Sequence, residues 1–168
     1  MRGSRSARLL AMAAVLIVGS IGAGSVVANR IGDDEGCSPG FWKNNTGAWQ
    51  EYDPASRLDS VFTIPAALSE LADDSLLAAL SFNGGPATID KAKLLLHHAV
   101  AAVLNAASED VGYPYRRFGP PLGIVAAVNA ALAGGNPDTM LDLKDILDEA
   151  NNLGCPIAAD ESGGPKKK

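Results

Sequence analysis

The stretch IDKAKLLLHHAVAAVLNAA, residues 89–107, decides the fold of this chain. It holds neither glycine nor proline and is rich in alanine and leucine, which are strong helix formers. At about 100° per residue, its apolar side chains cover most of the circumference of a helix. A helix that is apolar nearly all round is buried, so we expect residues 89–107 to form a central helix capped by Thr88.

Shorter elements are predicted before this central helix. Ser38 and Pro39 are residue types preferred at an N-cap and at the first helical position, and they predict a short helix that covers 41–48. Between the two helices we expect smaller elements, namely a brief extended piece around 58–62 and helical turns at 65–71 and 75–80.

Two further helices are predicted after the central one. Residues 122–132 follow a Pro-Pro pair and end before Gly134 and Gly135, which signal a C-cap. Asn136 then caps a final helix that runs to Asn151. The apolar face of this helix consists of Met140, Leu143, Ile146, Leu147 and Ala150, and its acidic face of Asp138, Asp142, Asp145 and Glu149.

The fold class follows from these helices and from the lack of any strand pattern. No segment alternates apolar and polar residues over the length of a strand. We therefore predict an all-α fold, a compact bundle of four to five helices around residues 89–107. The predicted organisation is a signal peptide (1–28), an acidic linker (29–36), the helical domain (37–156) and a disordered polar tail (157–168).

The first residues have the pattern of a secretory signal peptide. Arg2, Arg5 and Arg8 precede an apolar run, and small residues lead to a cleavage point after Ala28. We expect a secreted or extracytoplasmic protein with no membrane contact after cleavage. The alternative is an uncleaved anchor, because residues 9–28 have about the length that spans a bilayer.

The two cysteines, Cys37 and Cys155, bracket almost the whole predicted domain. In an oxidising compartment a lone pair of cysteines is usually a disulfide, which we predict here. A two-cysteine metal site is the alternative, and it would need histidine or carboxylate ligands at a suitable spacing, which we do not find. We predict no metal and no cofactor.

The charge of the chain excludes one class of partner. Loss of the three arginines in the leader leaves 11 basic and 19 acidic residues, a net charge of −8. Nucleic-acid binding needs a basic face, so no nucleic-acid partner is expected. A surface protein or a polysaccharide is compatible with this charge, and the sequence does not choose between them.

The sequence GCSPG, residues 36–40, matches the G-x-S-x-G pattern of a nucleophilic serine. That motif needs a strand that leads into a sharp turn before a helix, and no strand precedes Gly36. Pro39 also removes a backbone N–H that an oxyanion hole would use. We therefore interpret Ser38 as a helix cap, and we predict no catalytic residue and no enzyme activity.

The aromatic side chains that follow this motif have two open interpretations. Phe41, Trp42 and Trp49 could be exposed and stack on sugar rings or anchor a protein contact. They could instead be buried as the large caps of an alanine-rich bundle, with Lys43 and Asn44 fixing the turn through backbone contacts. The sequence leaves both possibilities open.

Three more residues complete the candidate binding or structural cluster. His98 and Asn105 lie on one stripe of the central helix, and Tyr113 lies in the loop that follows. His97 and His98 are adjacent, so on a helix they point about 100° apart and do not grip one metal ion together. We expect His98 to be a partly buried histidine, with a polar cluster with Asn105 and the N-terminal motif as the alternative.

The stretch CSPGFWKNN, residues 37–45, resembles a motif of a bacterial exported-protein family, C-[ST]-P-G-[YF]-W-K-N. The similarity extends to the alanine-rich segment 94–105 and to the closing segment 151–156. Asn45 stands where that family often has a histidine. The family is exported or surface-associated and has no established activity, so the resemblance implies a location and an architecture.

These observations predict a non-catalytic exported, cell-surface or extracellular-matrix domain that acts as an interaction or structural module. The alternative is a carbohydrate- or small-ligand-binding module that uses Phe41, Trp42 and Trp49. A small secreted hydrolase is the remaining possibility.

Overall fold

The computed structural model describes residues 34–119 and 123–157. In these residues the chain forms five α-helices and three short 3₁₀ helices, and it contains no β-strand. The α-helices are α1 (Pro39–Asn44), α2 (Leu76–Ala79), α3 (Thr88–Ala107), α4 (Ile124–Gly134) and α5 (Pro137–Asn151). The 3₁₀ helices are Thr46–Ala48, Leu58–Ser60 and Ala66–Leu71. The prediction of an all-α fold is confirmed for this part of the chain.

Helix α3 is the buried centre of the structure, as its apolar circumference predicts. From Ala99 to Asn105 every residue is buried, and α1, α2, α4 and α5 all contact this helix. Its alanine side chains let α5, its most extensive neighbour, approach closely. The predicted cap is wrong by one residue: Ala87 is the N-cap, and the Asp90 carboxylate accepts the Ala87 N–H at 2.9 Å.

Helix α1 begins as predicted but is shorter. The Ser38 hydroxyl accepts the Phe41 N–H at 3.2 Å, and Pro39 is the first helical residue. The predicted single helix over 41–48 is in fact two elements, because α1 ends at Asn44 and a 3₁₀ turn follows.

The predicted extended piece around 58–62 is wrong. Leu58–Ser60 is a 3₁₀ helix that places Leu58 and Phe62 in the core. The Leu58 N–H donates to the Asp74 carbonyl at 2.8 Å, so the segment is held by a contact distant in sequence. The turns predicted at 65–71 and 75–80 are present as Ala66–Leu71 and α2, and the Ser75 hydroxyl caps α2.

The C-terminal half follows the sequence pattern closely. Helix α4 starts at Ile124, two residues later than predicted, and Gly135 ends it with the left-handed φ of 63° that a C-cap glycine adopts. The Asn136 side chain caps α5 by accepting the Asp138 N–H at 2.8 Å. The apolar face of α5 turns to α3, and its predicted acidic face is exposed.

The predicted disulfide joins Cys37 to Cys155, whose Cα atoms are 4.4 Å apart. Next to it the Gly36 N–H donates to the Gly154 carbonyl at 2.9 Å, so backbone pairing reinforces the covalent link. The predicted leader lies outside the described residues, as do most of the predicted linker and tail. Among the described helices, none combines the length and apolar character needed to cross a membrane.

Two glycines near this link should respond in opposite ways to alanine. A Cβ on Gly36 would lie 2.0 Å from the Ala150 carbonyl oxygen, whereas one on Gly40 would meet only the Ser38 hydroxyl, at 3.8 Å. We expect Gly36→Ala to lower the free energy of unfolding by about 1–3 kcal/mol through overpacking. Gly40→Ala, inside a helix, should raise it by up to about 1 kcal/mol. Urea unfolding measures both, and equal effects would contradict the packing of Gly36 on α5.

Candidate functional site

The Asn105 side chain pairs with the backbone of the first cysteine. Its Oδ1 accepts the Cys37 N–H at 2.8 Å, and its Nδ2 donates to the Cys37 carbonyl at 2.9 Å. One amide group of α3 therefore satisfies both backbone groups of Cys37, much as a neighbouring strand would. Asn105 is fully buried, so these hydrogen bonds form away from water.

The same amide also binds Trp42 and Asn151. The Trp42 Nε1 donates to Asn105 Oδ1 at 3.0 Å, and Asn105 Nδ2 donates to Asn151 Oδ1 at 2.9 Å. A primary amide has two donor hydrogens and two acceptor lone pairs. Asn105 uses all four within the protein, so it has no remaining hydrogen-bonding capacity for a ligand.

Asn151 extends this network to the end of α5. Its Oδ1 also accepts the Tyr113 hydroxyl at 2.8 Å, and its Nδ2 donates to the His98 carbonyl at 3.0 Å. Burial raises the pKa of the Tyr113 phenol well above its usual range, so the hydroxyl stays protonated and donates. We call Trp42, Asn105, Tyr113 and Asn151, with the Cys37 backbone, the asparagine network.

The structure thus brings together three of the candidate residues, Trp42, Asn105 and Tyr113. His98 joins them through its backbone carbonyl and not through its ring. Sequence reasoning placed Asn151 at the end of a helix without giving it this role. A signal was present, because Asn151 follows Leu147 by four residues and therefore continues the apolar face of α5.

The other candidate residues lie at the edge of this network. The Phe41 and Trp49 side chains are half-buried, and the Phe41 ring packs edge-on against Trp42 with centroids 5.2 Å apart. The Trp49 Nε1 donates to the Trp42 carbonyl at 2.9 Å. Asn44 closes α1 by donating to the Gly40 carbonyl at 2.9 Å, whereas Lys43 is exposed. Trp42 itself is fully buried.

The two adjacent histidines, His97 and His98, lie on α3, and the His98 ring faces Asp148 of α5. Their rings meet edge-to-face with centroids 4.8 Å apart, and each Nδ1 is buried without a hydrogen-bond partner among the described residues. His98 Nδ1 is 3.6 Å from Asp148 Oδ1, too far for a hydrogen bond. Burial lowers the pKa of His98 to about 4 and also lowers that of His97, so both rings are neutral at pH 7.

The Ser38 hydroxyl is occupied as the cap of α1, which is the role predicted for it. Within residues 34–119 and 123–157, no group of three histidine, cysteine or acidic side chains is placed to hold a metal ion.

Comparison of the chain with protein-family models, with curated proteins and with solved structures finds no match.

Loss of the Asn105 amide should be among the most destabilising single changes in this protein. In Asn105→Leu the Cys37 N–H and carbonyl, the Trp42 Nε1 and one lone pair of Asn151 lose their buried partner. Each unsatisfied group costs about 1–3 kcal/mol, so we expect a loss of at least about 3 kcal/mol.

Two variants calibrate that measurement by urea unfolding. Tyr113→Phe removes one hydrogen bond of the same network and should cost about 1 kcal/mol. Asn152→Ala changes an exposed asparagine that bonds only within α5, and it should cost less than about 0.5 kcal/mol. If Asn105→Leu were no worse than Asn152→Ala, the network would not hold the fold.

Stability should fall as the pH drops from about 6.5 towards 4. In the unfolded chain His98 takes up a proton near its usual pKa of 6.5, whereas in the folded protein it does so only near 4. The unfolded state therefore binds more protons in this window, and the folded state loses free energy relative to it. Urea midpoints at pH 7 and pH 5 measure the loss. The variant His98→Gln should lose less stability between pH 7 and pH 5. If its loss were unchanged, the pH dependence would come from other titratable side chains.

Proposed function

We propose that this chain is a non-catalytic domain that works outside the cytoplasm, at the cell surface or in the extracellular matrix. It acts there as a structural or interaction module. The observation that carries the proposal is the asparagine network. Its polar atoms, which include the Cys37 backbone and the Trp42 indole N–H of the CSPGFWKNN motif, bind one another and are buried. The motif therefore holds the two ends of the domain together.

The proposed location rests on the disulfide and on the N-terminal pattern together. Cys37 and Cys155 are the two cysteines of the chain, and both are used in one bond. Disulfides form and persist in oxidising compartments, and the basic and then apolar leader is the kind of sequence that directs a chain there.

The alternative was a carbohydrate- or small-ligand-binding module that uses Phe41, Trp42 and Trp49. Stacking on a sugar needs an open ring face, and the Trp42 ring has none because its exposed fraction is 0%. Phe41 and Trp49 are half-buried and pack against the hydrophobic core. This observation favours the structural interpretation of the motif, so a partner would bind at another surface of the domain.

Expression with residues 1–28 intact tests the proposed location. We expect the protein outside the cytoplasm, starting near Asn29, with an intact mass that rises by two hydrogen atoms on reduction. A chain that stays in the cytoplasm with free thiols would contradict the proposal.

The same purified protein tests the absence of catalysis. We expect no turnover of chromogenic esters, amides or glycosides, and Ser38→Ala should change only stability, by about 1 kcal/mol, because a helix cap is lost. Turnover that disappears in Ser38→Ala would show instead that this serine is a nucleophile. Gly40→Ala is the matched control in the same motif.

A further inference from the structure

The loop between α2 and α3 contains an Asn-Gly pair that the fold leaves open to solvent. Asn83 and Gly84 lie in an irregular segment, residues 82–85, and both are exposed. Asn83 is the one asparagine of the sequence that a glycine follows. Asparagine is a chemically labile side chain, and a following glycine has no Cβ to hinder an attack on it. The pair is therefore a candidate site of covalent change.

The two reacting groups of this pair are not held by the rest of the described structure. The Gly84 N–H makes no hydrogen bond with any described residue. The Asn83 Nδ2 donates to the Ser81 carbonyl at 3.3 Å, just beyond the usual range for an N–H donor. The Gly84 nitrogen can therefore approach the Asn83 carboxamide carbon, because no helix or strand hydrogen bond has to break first.

The other described asparagines lack such a neighbour. Four of them lie inside helices, where the next backbone N–H is already bonded along the helix: Asn44, Asn105, Asn129 and Asn151. Asn136 precedes Pro137, which has no N–H, and Asn45 precedes Thr46, whose Cβ is branched. Asn152 precedes Leu153, whose N–H donates to the Ala150 carbonyl at 3.4 Å. The fold thus concentrates this reactivity at Asn83.

We propose that Asn83 is a site of spontaneous modification, at which the protein converts this asparagine to aspartate and isoaspartate with water as the co-reactant. In the first step the Gly84 nitrogen, after loss of its proton to base, forms a bond to Asn83 Cγ. The bond from Cγ to Nδ2 breaks, and Nδ2 leaves as ammonia with the proton that the base returns. The product is a cyclic imide that joins the Asn83 side chain to the Gly84 nitrogen.

Water opens this ring in either of two ways. If its oxygen adds to Cγ and the bond from Cγ to nitrogen breaks, residue 83 becomes aspartate. If it adds to the main-chain carbonyl carbon, the bond from that carbon to nitrogen breaks, and the main chain then runs through Cβ and Cγ as isoaspartate. In both cases the ring nitrogen takes up a proton from water, so the overall change is the gain of a water molecule and the loss of an ammonia molecule.

Conversion changes the groove that Asn83 lines. This groove of about 360 Å³ is also bordered by three acidic side chains, Glu70, Asp74 and Asp90, and by Lys93. A carboxylate at position 83 replaces a neutral amide there and makes the net charge of −5 more negative by one unit. The groove therefore becomes more acidic as the protein ages.

Isoaspartate in addition lengthens the loop just before α3. The loop is anchored there, because Lys91 Nζ donates to the Gly85 carbonyl at 2.6 Å. It also packs closely on α3, since a Cβ on Gly84 would lie 2.6 Å from Leu94 Cδ1. An extra methylene in the main chain displaces this packing, so we expect the isoaspartate form to unfold at a lower urea concentration than the aspartate form.

The experiment is peptide mapping of the purified, oxidised full-length protein after incubation at pH 8.5. Trypsin then releases residues 58–91, in which Asn83 is the one asparagine, and residues 44–57, which hold Asn44 and Asn45. Synthetic peptides with aspartate or isoaspartate identify the products. We expect both products in 58–91, formed at least about tenfold faster than any change in 44–57. At pH 6.5 the reaction should be at least about tenfold slower, because the attacking nitrogen must lose its proton.

Matched controls separate the effect of the fold from that of the sequence. A synthetic peptide of residues 79–87 carries the same pair without the fold, and the folded protein should convert within about tenfold of its rate, since the loop needs no opening. Asn83→Gln keeps a neutral amide but has to close a larger ring, so this variant should not convert in the same time. Asn83→Asp, freshly purified, supplies the aspartate form for the comparison by urea unfolding.

Three outcomes would overturn the inference. A folded protein that converts more than about tenfold more slowly than the peptide would show that the fold protects the loop. Aspartate without isoaspartate would assign the change to direct hydrolysis of the side-chain amide. Equal conversion in residues 44–57 would show that Asn83 is not a special position. The inference goes beyond the proposed function, because an unreactive Asn83 would leave that function standing.

Discussion

The rest of the structure depends on the hydrogen bonds made by the two buried amides of Asn105 and Asn151. They connect α3 to α1 and α5, at a place where the disulfide alone would leave polar groups unsatisfied. In a low-dielectric interior such bonds are strong, and a missing partner is costly. The network therefore specifies one arrangement of the helices, since other packings of the apolar faces would bury unpaired amides.

The composition of α3 explains why this network is needed. A helix with so many alanines packs closely against α5 but supplies little side-chain volume to the core. The large side chains of Trp42 and Phe62, which lie outside α3 in the sequence, supply the remaining volume. An indole buried in this way brings an N–H that must find an acceptor. Asn105 provides that acceptor, so the burial of Trp42 depends on the asparagine in α3.

Much of this arrangement could be predicted from the sequence, because the longer elements carry their own signals. Helix α3 follows from its apolar circumference, α5 follows from periodicity and from its Asn136 cap, and the disulfide follows from two cysteines in a chain with a leader pattern. The orientation of Trp42 did not follow, because its partner is 63 residues away. The 3₁₀ helix at Leu58–Ser60 was missed for the same reason, since it is held by Asp74 and not by local propensity.

The closeness of Cys37 and Cys155 has a mechanical consequence. Their Cα atoms are 4.4 Å apart, so a force applied to the chain before one cysteine and after the other passes through the covalent bond. The helices between them carry almost none of that load and would stay folded while tension is transmitted. Only reduction of the bond would let the force act on the segment between the two cysteines, which are 118 residues apart in sequence.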